Sequence, residues 1–209
     1  VGILPEAYDA WKYVKEQPFS LRLDHGWKLH FAESTPEIQG TFDIDRPCSW
    51  TNIDHPAAQT NMGTGVYSLD IELPALKADN WILDLGDVRE SARVRINGQE
   101  AGCVWAVPYQ LKVGQFLKPG KNHIEIEVTN LPANRIAELD RQRVQWRKFK
   151  DINTVDLRYR PANYGHWAPM PSGLNSEVRL IPVDFIQVTT EDTKDAEVKT
   201  VRIQTNRWI

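Results

Sequence analysis

Apolar and polar residues alternate strictly along three stretches of the chain, and this pattern limits the possible folds more than any other feature. The stretches are Val66–Leu73, Ala92–Ile96 and His123–Val128. Strict alternation places one face of a strand against a core and the other in water, which is typical of antiparallel sheets. Asn97-Gly98 follows the second stretch and predicts a tight hairpin, because both residues tolerate positive φ.

Further short apolar runs, separated by turn residues, extend the same pattern along the chain. The additional strands that we predict are Trp81–Leu85, Val178–Ile181, Phe185–Thr189 and Val198–Gln204. Many short strands joined by regular turns indicate a β-sandwich or jelly roll. We therefore expect an all-β fold in which residues 1–209 form a single domain.

Two regions, residues 1–18 and 132–171, break this rhythm. The first has no clear period, and Glu6–Glu16 fits a short helix that ends before Pro18. The second is an insert in which apolar residues recur at helical spacing, so we predict that Asn134–Lys150 is helical and the rest irregular. A long irregular segment inside a compact domain usually serves a function or an interface.

Composition excludes several classes of protein. The net charge is −3, whereas a dedicated nucleic-acid binder normally carries a basic field. No apolar run approaches the length of a membrane span. The chain starts at Val1 without a signal peptide, so we expect a mature or excised part of a longer protein. Cys48 and Cys103 either pair, if the protein is exported, or remain two separate buried thiols.

Motifs for catalysis are absent from the sequence. It contains no nucleophile elbow, no zinc-protease motif and no phosphate-binding loop. Two carboxylate pairs, Asp70/Glu72 and Glu125/Glu127, have the spacing of a solvated strand face rather than that of a glycosidase site. We therefore expect the chain itself to be non-catalytic. Eight tryptophans exceed what a core usually needs, so some of them are candidates for a binding face.

An ordered set of motifs covers the middle of the chain. The set consists of Leu83–Val88, Ala92–Gly98, Gly102–Tyr109, Leu117–Asn122 and Ile126–Leu131. In this order the motifs resemble the galactose-binding-like β-sandwich that polysaccharide-degrading enzymes carry as an accessory domain. The resemblance runs from Gly26 to Val183 and implies a jelly-roll β-sandwich with an irregular, partly helical insert.

Two segments are similar to the C-terminal sandwich of family 106 α-L-rhamnosidases. Val128–Ile136 resembles a "VTNLW-NRL" segment, and Pro171–Leu180 resembles a "PSGLLGPV-L" segment. Pro132 stands where that family often has Trp, and Asn175-Ser176-Glu177 replaces Leu-Gly-Pro. Early elements of the sugar-binding domain of family 2 glycosidases are similar to Gly26–Phe31, Pro47–Trp50 and Gly65–Tyr67.

The resemblance implies an accessory or carbohydrate-binding domain of a rhamnosidase-like glycoside hydrolase. The catalytic carboxylates of such enzymes lie on a separate (β/α)₈ barrel, so the implied partner is the catalytic domain of the same polypeptide. The implied ligand is a plant polysaccharide such as rhamnogalacturonan, and the implied location is bacterial: secreted, periplasmic or on the cell surface. No cofactor is implied except a structural Ca²⁺, for which the sequence has no demanding local cluster of Asp and Asn.

Trp105 and Tyr109, just after the predicted hairpin, are the first candidates for ligand binding. Aromatic rings stack on the apolar C–H faces of sugars while polar neighbours hold the hydroxyl groups. The alternative is that both side chains pack between the sheets. Arg135 follows the last central strand, where it either bridges to a carboxylate of a neighbouring domain or braces the insert.

The insert supplies the remaining candidates. Its candidate binding residues are Trp146, Tyr164, His166 and Trp167, all with aromatic or imidazole rings. Tyr159 lies in the same segment. As a stacking platform with Arg143, Arg147 or Arg158 nearby, they would suit a glycan with uronate units, because arginine binds carboxylates at two points. The alternatives are a domain interface or self-packed loop for the aromatics, and a solvated helix face for the charges.

Three functions therefore remain open at this point. A carbohydrate-binding domain predicts exposed aromatics and measurable affinity. A purely structural interdomain module predicts an apolar patch shaped for a missing partner. A contributor to a glycosidase or esterase active site predicts two carboxylates, or a Ser-His pair, that folding brings together.

Overall fold

The alternating stretches form antiparallel strands in a computed structural model, which describes residues 12–148 and 162–186. The first seven strands are β1 (Tyr13–Glu16), β2 (Leu21–Leu23), β3 (Trp27–Thr35), β4 (Thr41–Ile44), β5 (Met62–Leu73), β6 (Asn80–Asp84) and β7 (Val88–Arg89). The others are β8 (Ser91–Ile96), β9 (Gln99–Val104), β10 (Gln110–Lys112), β11 (Gly120–Thr129), β12 (Gly173–Leu174) and β13 (Val178–Ile186). Two helices, α1 (Pro56–Gln59) and α2 (Ala133–Arg141), lie between strands. The predicted all-β fold is confirmed.

Two main sheets make up the sandwich. One has six strands in the order β4-β3-β5-β11-β8-β9. The other has the order β1-β13-β6-β10, with β2 also paired to β13, and a small third sheet joins β12 to β7. The longest pairing joins β5 to β11, from Leu73 opposite Gly120 to Thr64 opposite Thr129. This order of strands is a jelly-roll arrangement rather than a simple meander.

The core lies between the two sheets and takes the apolar residues of each alternating strand. Among its fully buried side chains are Trp27, Trp50, Tyr67, Leu83 and Ile126. The alternate residues of the six-stranded sheet face outward and pair across strands: Glu127 binds both Arg95 and Arg93, and His123 binds Asp70. The carboxylate pairs noted in the sequence thus lie on the outer face of the sheet, as the alternation predicts.

The predicted hairpin at Asn97-Gly98 is present between β8 and β9. Asn97 has φ 53° and Gly98 has φ 77°, so both residues adopt the left-handed backbone that this type of turn requires. The Asn97 side chain also donates a hydrogen bond to the Phe116 carbonyl at 2.9 Å. The turn is therefore held to a neighbouring loop as well as to its own strands.

Three sequence predictions differ from the structure. Tyr13–Glu16 is not the end of a helix but strand β1, because it pairs with β13 from Tyr13 opposite Ile186 to Glu16 opposite Val183. Residues 6–11 of that predicted helix lie outside the described residues. Tertiary pairing has overridden the local preference here.

The predicted helix over Asn134–Lys150 is shorter than expected. α2 ends at Arg141, and Arg143 then takes a left-handed φ of 58° that stops its continuation. Positions 149 and 150 lie outside the described residues. The two predicted strands Val178–Ile181 and Phe185–Thr189 are one strand as far as Ile186, because Pro182 pairs with Trp81 inside the ladder. The predicted strand Val198–Gln204 lies outside the described residues.

Removing the Tyr67 hydroxyl tests how the core is held together. This oxygen accepts hydrogen bonds from the Trp50 indole at 2.7 Å and from the Leu174 backbone N–H at 3.1 Å. Tyr67→Phe leaves both buried donors without an acceptor, so we expect a loss of about 2 kcal/mol in the free energy of unfolding, measured with urea. The matched change Tyr13→Phe, at an exposed ring, should cost less than about 0.5 kcal/mol. Equal effects of the two changes would contradict this role of Tyr67.

Candidate functional site

One end of the six-stranded sheet carries both the Trp105 loop and the insert. Thr129 at the end of β11 pairs with Ser91 at the start of β8, and Ala92 pairs with Val104 at the end of β9. Trp105 directly follows Val104, and α2 follows the end of β11. The register therefore brings these two regions to the same end of the sandwich, which we call the insert end.

Trp105 and Tyr109 have different environments. Trp105 is 77% exposed, and Val107 beside it is 79% exposed. Tyr109 is half-buried against the core, and its carbonyl accepts the backbone N–H of Leu85 at 2.9 Å. Core packing, the alternative raised from the sequence, therefore describes Tyr109 but not Trp105. Only Trp105 of the two presents its ring to an external ligand.

Three buried polar side chains join the insert to the sandwich, and we call Asn130, Asn134 and Ser172 the motif junction. Asn130 donates to the Ser172 hydroxyl at 3.1 Å, and its own oxygen accepts the Gly63 N–H at 3.0 Å. The Asn134 side chain makes two hydrogen bonds to the backbone of Met170: it donates to the carbonyl and accepts from the N–H, each at 2.7 Å. The two rhamnosidase-like motifs thus meet through hydrogen bonds.

Asp140 is the centre of the insert itself. Its side chain is 3% exposed and lies in the last turn of α2. It accepts hydrogen bonds from the Tyr164 backbone N–H at 2.7 Å and the Trp146 indole at 2.8 Å. The two amino groups of Arg147 complete the set at 3.1 Å and 3.4 Å. One carboxylate therefore joins helix α2 to two other segments of the insert.

These bonds assemble the candidates Trp146, Tyr164 and Trp167, with Arg147, into what we call the aromatic platform. The Arg147 guanidinium carbon lies 4.3 Å from the centre of the Trp146 ring and 5.6 Å from that of Tyr164. The Tyr164 and Trp167 rings are 4.5 Å apart at a tilt of 43°. Cation–π and ring contacts of this kind add to the stability of the platform. The structure brings together side chains that are well separated in the sequence.

Two arginines of the insert, Arg141 and Arg147, form hydrogen bonds with other residues of the insert. The guanidinium of Arg147 is paired with the carboxylate of Asp140, so it is not free to bind the carboxylate of a uronate at two points. Arg141 donates to the carbonyls of Gly165 and Trp167 at 3.0 Å and 3.1 Å, and to Glu138 at 2.7 Å. These two side chains brace the loop rather than lying on a solvated helix face.

The other candidates have fewer contacts. Arg135 is half-buried, and its enclosed Nε has no acceptor among the described residues. It therefore does not brace the insert through a hydrogen bond of that atom. His166 is exposed in the turn before Trp167, and Arg143 is exposed at the end of α2. Arg158 and Tyr159 lie outside the described residues.

No motif in the sequence marks Asp140 or Ser172 as important. The available signal was position: a carboxylate near the C-terminus of a helix opposes the helix dipole and needs a compensating partner. Burial raises the pKa of Asp140, but the N–H of Tyr164, the indole of Trp146 and the Arg147 guanidinium outweigh it and lower that pKa below its usual 3.8.

Metal sites, membrane-spanning helices and disulfides can each be checked in the part of the chain that the structure describes. Within residues 12–148 and 162–186, no three His, Cys, Asp or Glu side chains form a group able to hold a metal ion. No helix of those ranges is long and apolar enough to cross a membrane. Cys48 and Cys103 are free thiols rather than a disulfide. Burial raises the pKa of the half-buried Cys48, but Cys103 is exposed on strand β9, so the expectation of two buried thiols is wrong for Cys103.

The fold and the insert together define a galactose-binding-like β-sandwich of the kind found in glycoside hydrolases. The chain belongs to the glycosyl hydrolase 2 galactose-binding domain-like family, whose model matches residues 50–174. A relative from Formosa agariphila, named "Putative beta-glucuronidase", is 32% identical over 126 residues, which cover 59% of this chain and 11% of that protein.

Solved structures show the same fold. The rhamnosidase of Novosphingobium sp. PP1Y matches with a TM-score of 0.65 at 25% identity, over 84% of this chain and 16% of that protein. A family 2 β-galacturonidase from Eisenbergiella tayi, bound to galacturonate, matches with a TM-score of 0.51 at 17% identity, over 83% of this chain and 26% of that protein. The chain thus spans only a small part of each relative, as an accessory domain does.

Replacing Asp140 with Asn tests the assembly of the aromatic platform. Breaking a buried ion pair costs about 3 kcal/mol, so we expect the Tyr164 amide to exchange its hydrogen roughly a hundredfold faster. Hydrogen exchange measured by NMR gives this rate directly. Asp54→Asn makes the same change at an exposed carboxylate that has no bond to the insert, so it should leave that rate within about threefold. Unchanged exchange in Asp140→Asn would contradict the role of Asp140.

The pKa of Asp140 sets the pH range in which the platform is stable. Because the folded pKa lies below the unfolded value near 3.8, the stabilisation is complete above that value and is lost as the pH falls through the folded pKa. We expect protection of the Tyr164 amide to be constant from about pH 7 to 5 and to fall only below about pH 4. Asp140→Asn should show no such acid transition. A loss of protection already near neutral pH would contradict this assignment.

Proposed function

We propose that this domain supports the catalytic domain of a polysaccharide-degrading glycoside hydrolase and contacts a plant-type glycan at the insert end. The observation that carries the glycan contact is Trp105, whose ring is 77% exposed at the end of a strand. Tryptophan is enriched at binding surfaces, and the face of its ring suits the apolar face of a sugar ring. The aromatic platform lies at the same end of the sandwich.

The supporting role rests on the apolar side chains that the insert end leaves in solvent. Exposed large hydrophobic residues in this region are Met62, Trp105, Val107, Leu131, Val144, Trp167 and Met170. A surface this apolar is typical of a face that another domain covers. The chain spans 11% of the Formosa protein and 16% of the Novosphingobium rhamnosidase, so relatives of this family have much more chain with which to cover it.

The class of glycan is suggested by two relatives. One is named as a rhamnosidase and another as a β-glucuronidase, and rhamnose and uronate units occur together in rhamnogalacturonan. We therefore favour a rhamnose-containing acidic glycan, and with it a secreted, periplasmic or cell-surface bacterial enzyme. The parent enzyme would be rhamnosidase-like.

A purely structural module is the second candidate, and the packing within the platform favours it. Tyr164 and Trp167 contact each other, and Arg147 covers Trp146. Trp105 is then the one member of this group of four rings without such a contact among the described residues. In that case Trp105 would insert into the catalytic domain instead of stacking on a sugar.

Titration calorimetry of the chain with a rhamnogalacturonan oligosaccharide distinguishes the two candidates. We expect saturable binding that weakens about tenfold or more in Trp105→Ala, because stacking on an exposed ring contributes about 1–2 kcal/mol. Trp167→Ala should weaken binding less, since that ring is already in contact with Tyr164.

A matched control keeps this test specific. Trp27→Phe changes a buried tryptophan and should lower stability without changing the affinity of the folded chain. Heat release that is identical in wild type and Trp105→Ala would remove Trp105 from the glycan site. No binding by a well-folded sample would leave the structural module as the function.

A further inference from the structure

The sheet that contains β13 has apolar residues on both of its faces. Continuous apolar runs occupy Trp81–Leu83 in β6 and Leu180–Val183 in β13, without the alternation of the six-stranded sheet. Successive side chains of a strand point to opposite faces, and the residues next to Ile82 belong to the main core. Ile82, Ile181 and Val183 form a separate cluster on the face away from that core, which we call the outer patch. Continuous runs are typical of strands that are covered on both sides.

The outer patch is buried, although it lies on the outside of the sandwich. Ile82, Ile181 and Val183 are 8%, 4% and 0% exposed. Among the described residues, the further apolar side chain that packs against them is Val14, which belongs to the same sheet. Neighbours in the same sheet pack beside a side chain and not above it, so an uncovered valine keeps part of its surface in water. Another part of this chain therefore covers the patch, and neither a second copy nor another domain is needed to bury it.

The chain just before β1 turns across the outer patch. Lys112 on β10 pairs with Ile82, and Ile82 pairs with Ile181, so the three residues form one row across the sheet. The Lys112 ammonium group donates to the Lys12 carbonyl at 3.3 Å. The Lys12 ammonium group lies 5.0 Å from the centre of the Phe185 ring on β13. Lys12 is thus tied to strands on both sides of β6, and the chain enters β1 from above the patch.

The eleven residues that precede Lys12 have the composition that such a cover requires. Their large apolar side chains are Ile3, Leu4, Tyr8 and Trp11, and Trp11 is adjacent to Lys12 in the sequence. Burying apolar side chains against an apolar face is the dominant favourable contribution to packing. The position of Lys12 and the composition of residues 1–11 therefore point to the same occupant of the outer patch.

The other two parts of the chain outside the described residues fit the patch less well. Residues 149–161 lie between Arg147 and Tyr164, which both bind Asp140 on α2. That helix contacts β5 of the six-stranded sheet and not the sheet of the outer patch. Residues 187–197, which follow β13, are mostly polar and include four acidic side chains. A segment of that composition is a poor cover for aliphatic side chains.

We infer that residues 1–11 dock on the outer patch and form a third layer on the outside of the sandwich. Trp11 contacts the row of Ile82 and Ile181, and the aliphatic side chains before it extend the cover. The inference is independent of the proposed glycan contact. It also limits where the catalytic domain can bind, because a face that this chain covers itself is not available to another domain. The insert end remains exposed for that contact.

Thiol labelling of the 209-residue chain tests this cover. Ile181→Cys places a thiol in the outer patch, and mass spectrometry of each cysteine peptide gives its labelling rate. Because a thiol must be exposed to react, we expect position 181 to label at least about a hundredfold more slowly than the exposed Cys103. Adding Leu4→Ser and Trp11→Ser weakens the cover and should accelerate labelling at position 181 about tenfold. Lys112→Met removes the bond to the Lys12 carbonyl and should accelerate it about threefold.

A matched pair of substitutions and a native thiol serve as controls. Ile203→Ser with Trp208→Ser makes the same kind of change in residues 187–209 and should leave the rate at position 181 within about twofold. Cys48 is half-buried against the core, so its labelling reports any loosening of the whole sandwich and should also stay within about twofold.

Four results would each overturn the inference. Position 181 could label as fast as Cys103 in the chain that carries Ile181→Cys alone. The pair at Ile203 and Trp208 could accelerate it, which would assign the cover to the C-terminal segment. Both the pair at Leu4 and Trp11 and the change at Lys112 could leave it unchanged, or Cys48 could accelerate equally with it. No sugar is present in this test, so its outcome is separate from that of the calorimetric titration.

Discussion

Hydrogen bonds between side-chain amides and a serine position the described part of the insert on the sandwich. Asn130 at the end of β11 and Asn134 in α2 both reach Ser172, and Asn134 also holds the backbone of Met170. Ser172 in turn donates its N–H to Ser49 at 3.0 Å, next to the buried Trp50. Polar groups this deeply buried stabilise one arrangement only when their partners are present. The insert end therefore depends on this junction.

Asp140 extends the same principle into the insert. The junction places α2 on the sandwich, and the carboxylate then organises the segments on the C-terminal side of the helix. Asp140 binds the backbone of Tyr164, which lies 24 residues further along the sequence. Positions 149–161, between the two residues, lie outside the described ranges. A helix that ended with a lysine at this position would satisfy the helix dipole but would leave Trp146 and Arg147 without a common partner. The carboxylate is unfavourable for the helix dipole at this position, but its hydrogen bonds fix the arrangement of the aromatic rings.

The sequence predicts the sandwich better than the site because alternation and turn chemistry are local, whereas the site is not. The local pattern alone predicts a strand at Val66–Leu73 and a turn at Asn97-Gly98, and the structure has both. Strand β1 shows the opposite case: Tyr13–Glu16 has no period of its own and becomes a strand only because β13 is beside it. Asp140 is similar, since nothing adjacent in sequence distinguishes it from an ordinary surface residue. Its role arises from partners that folding brings from far away.

The tryptophan excess shows how one residue type divides between scaffold and surface. Trp27, Trp50 and Trp81 are buried in the core, where large aromatic side chains fill the space between the sheets. Trp105, Trp146 and Trp167 all lie at the insert end, where the sandwich itself does not need them. The family match covers residues 50–174, which include Trp50, Trp81 and all three tryptophans at the insert end. Membership of the family therefore defines the fold and not the ligand, because the sandwich forms whether or not the tryptophans at the insert end contact a sugar.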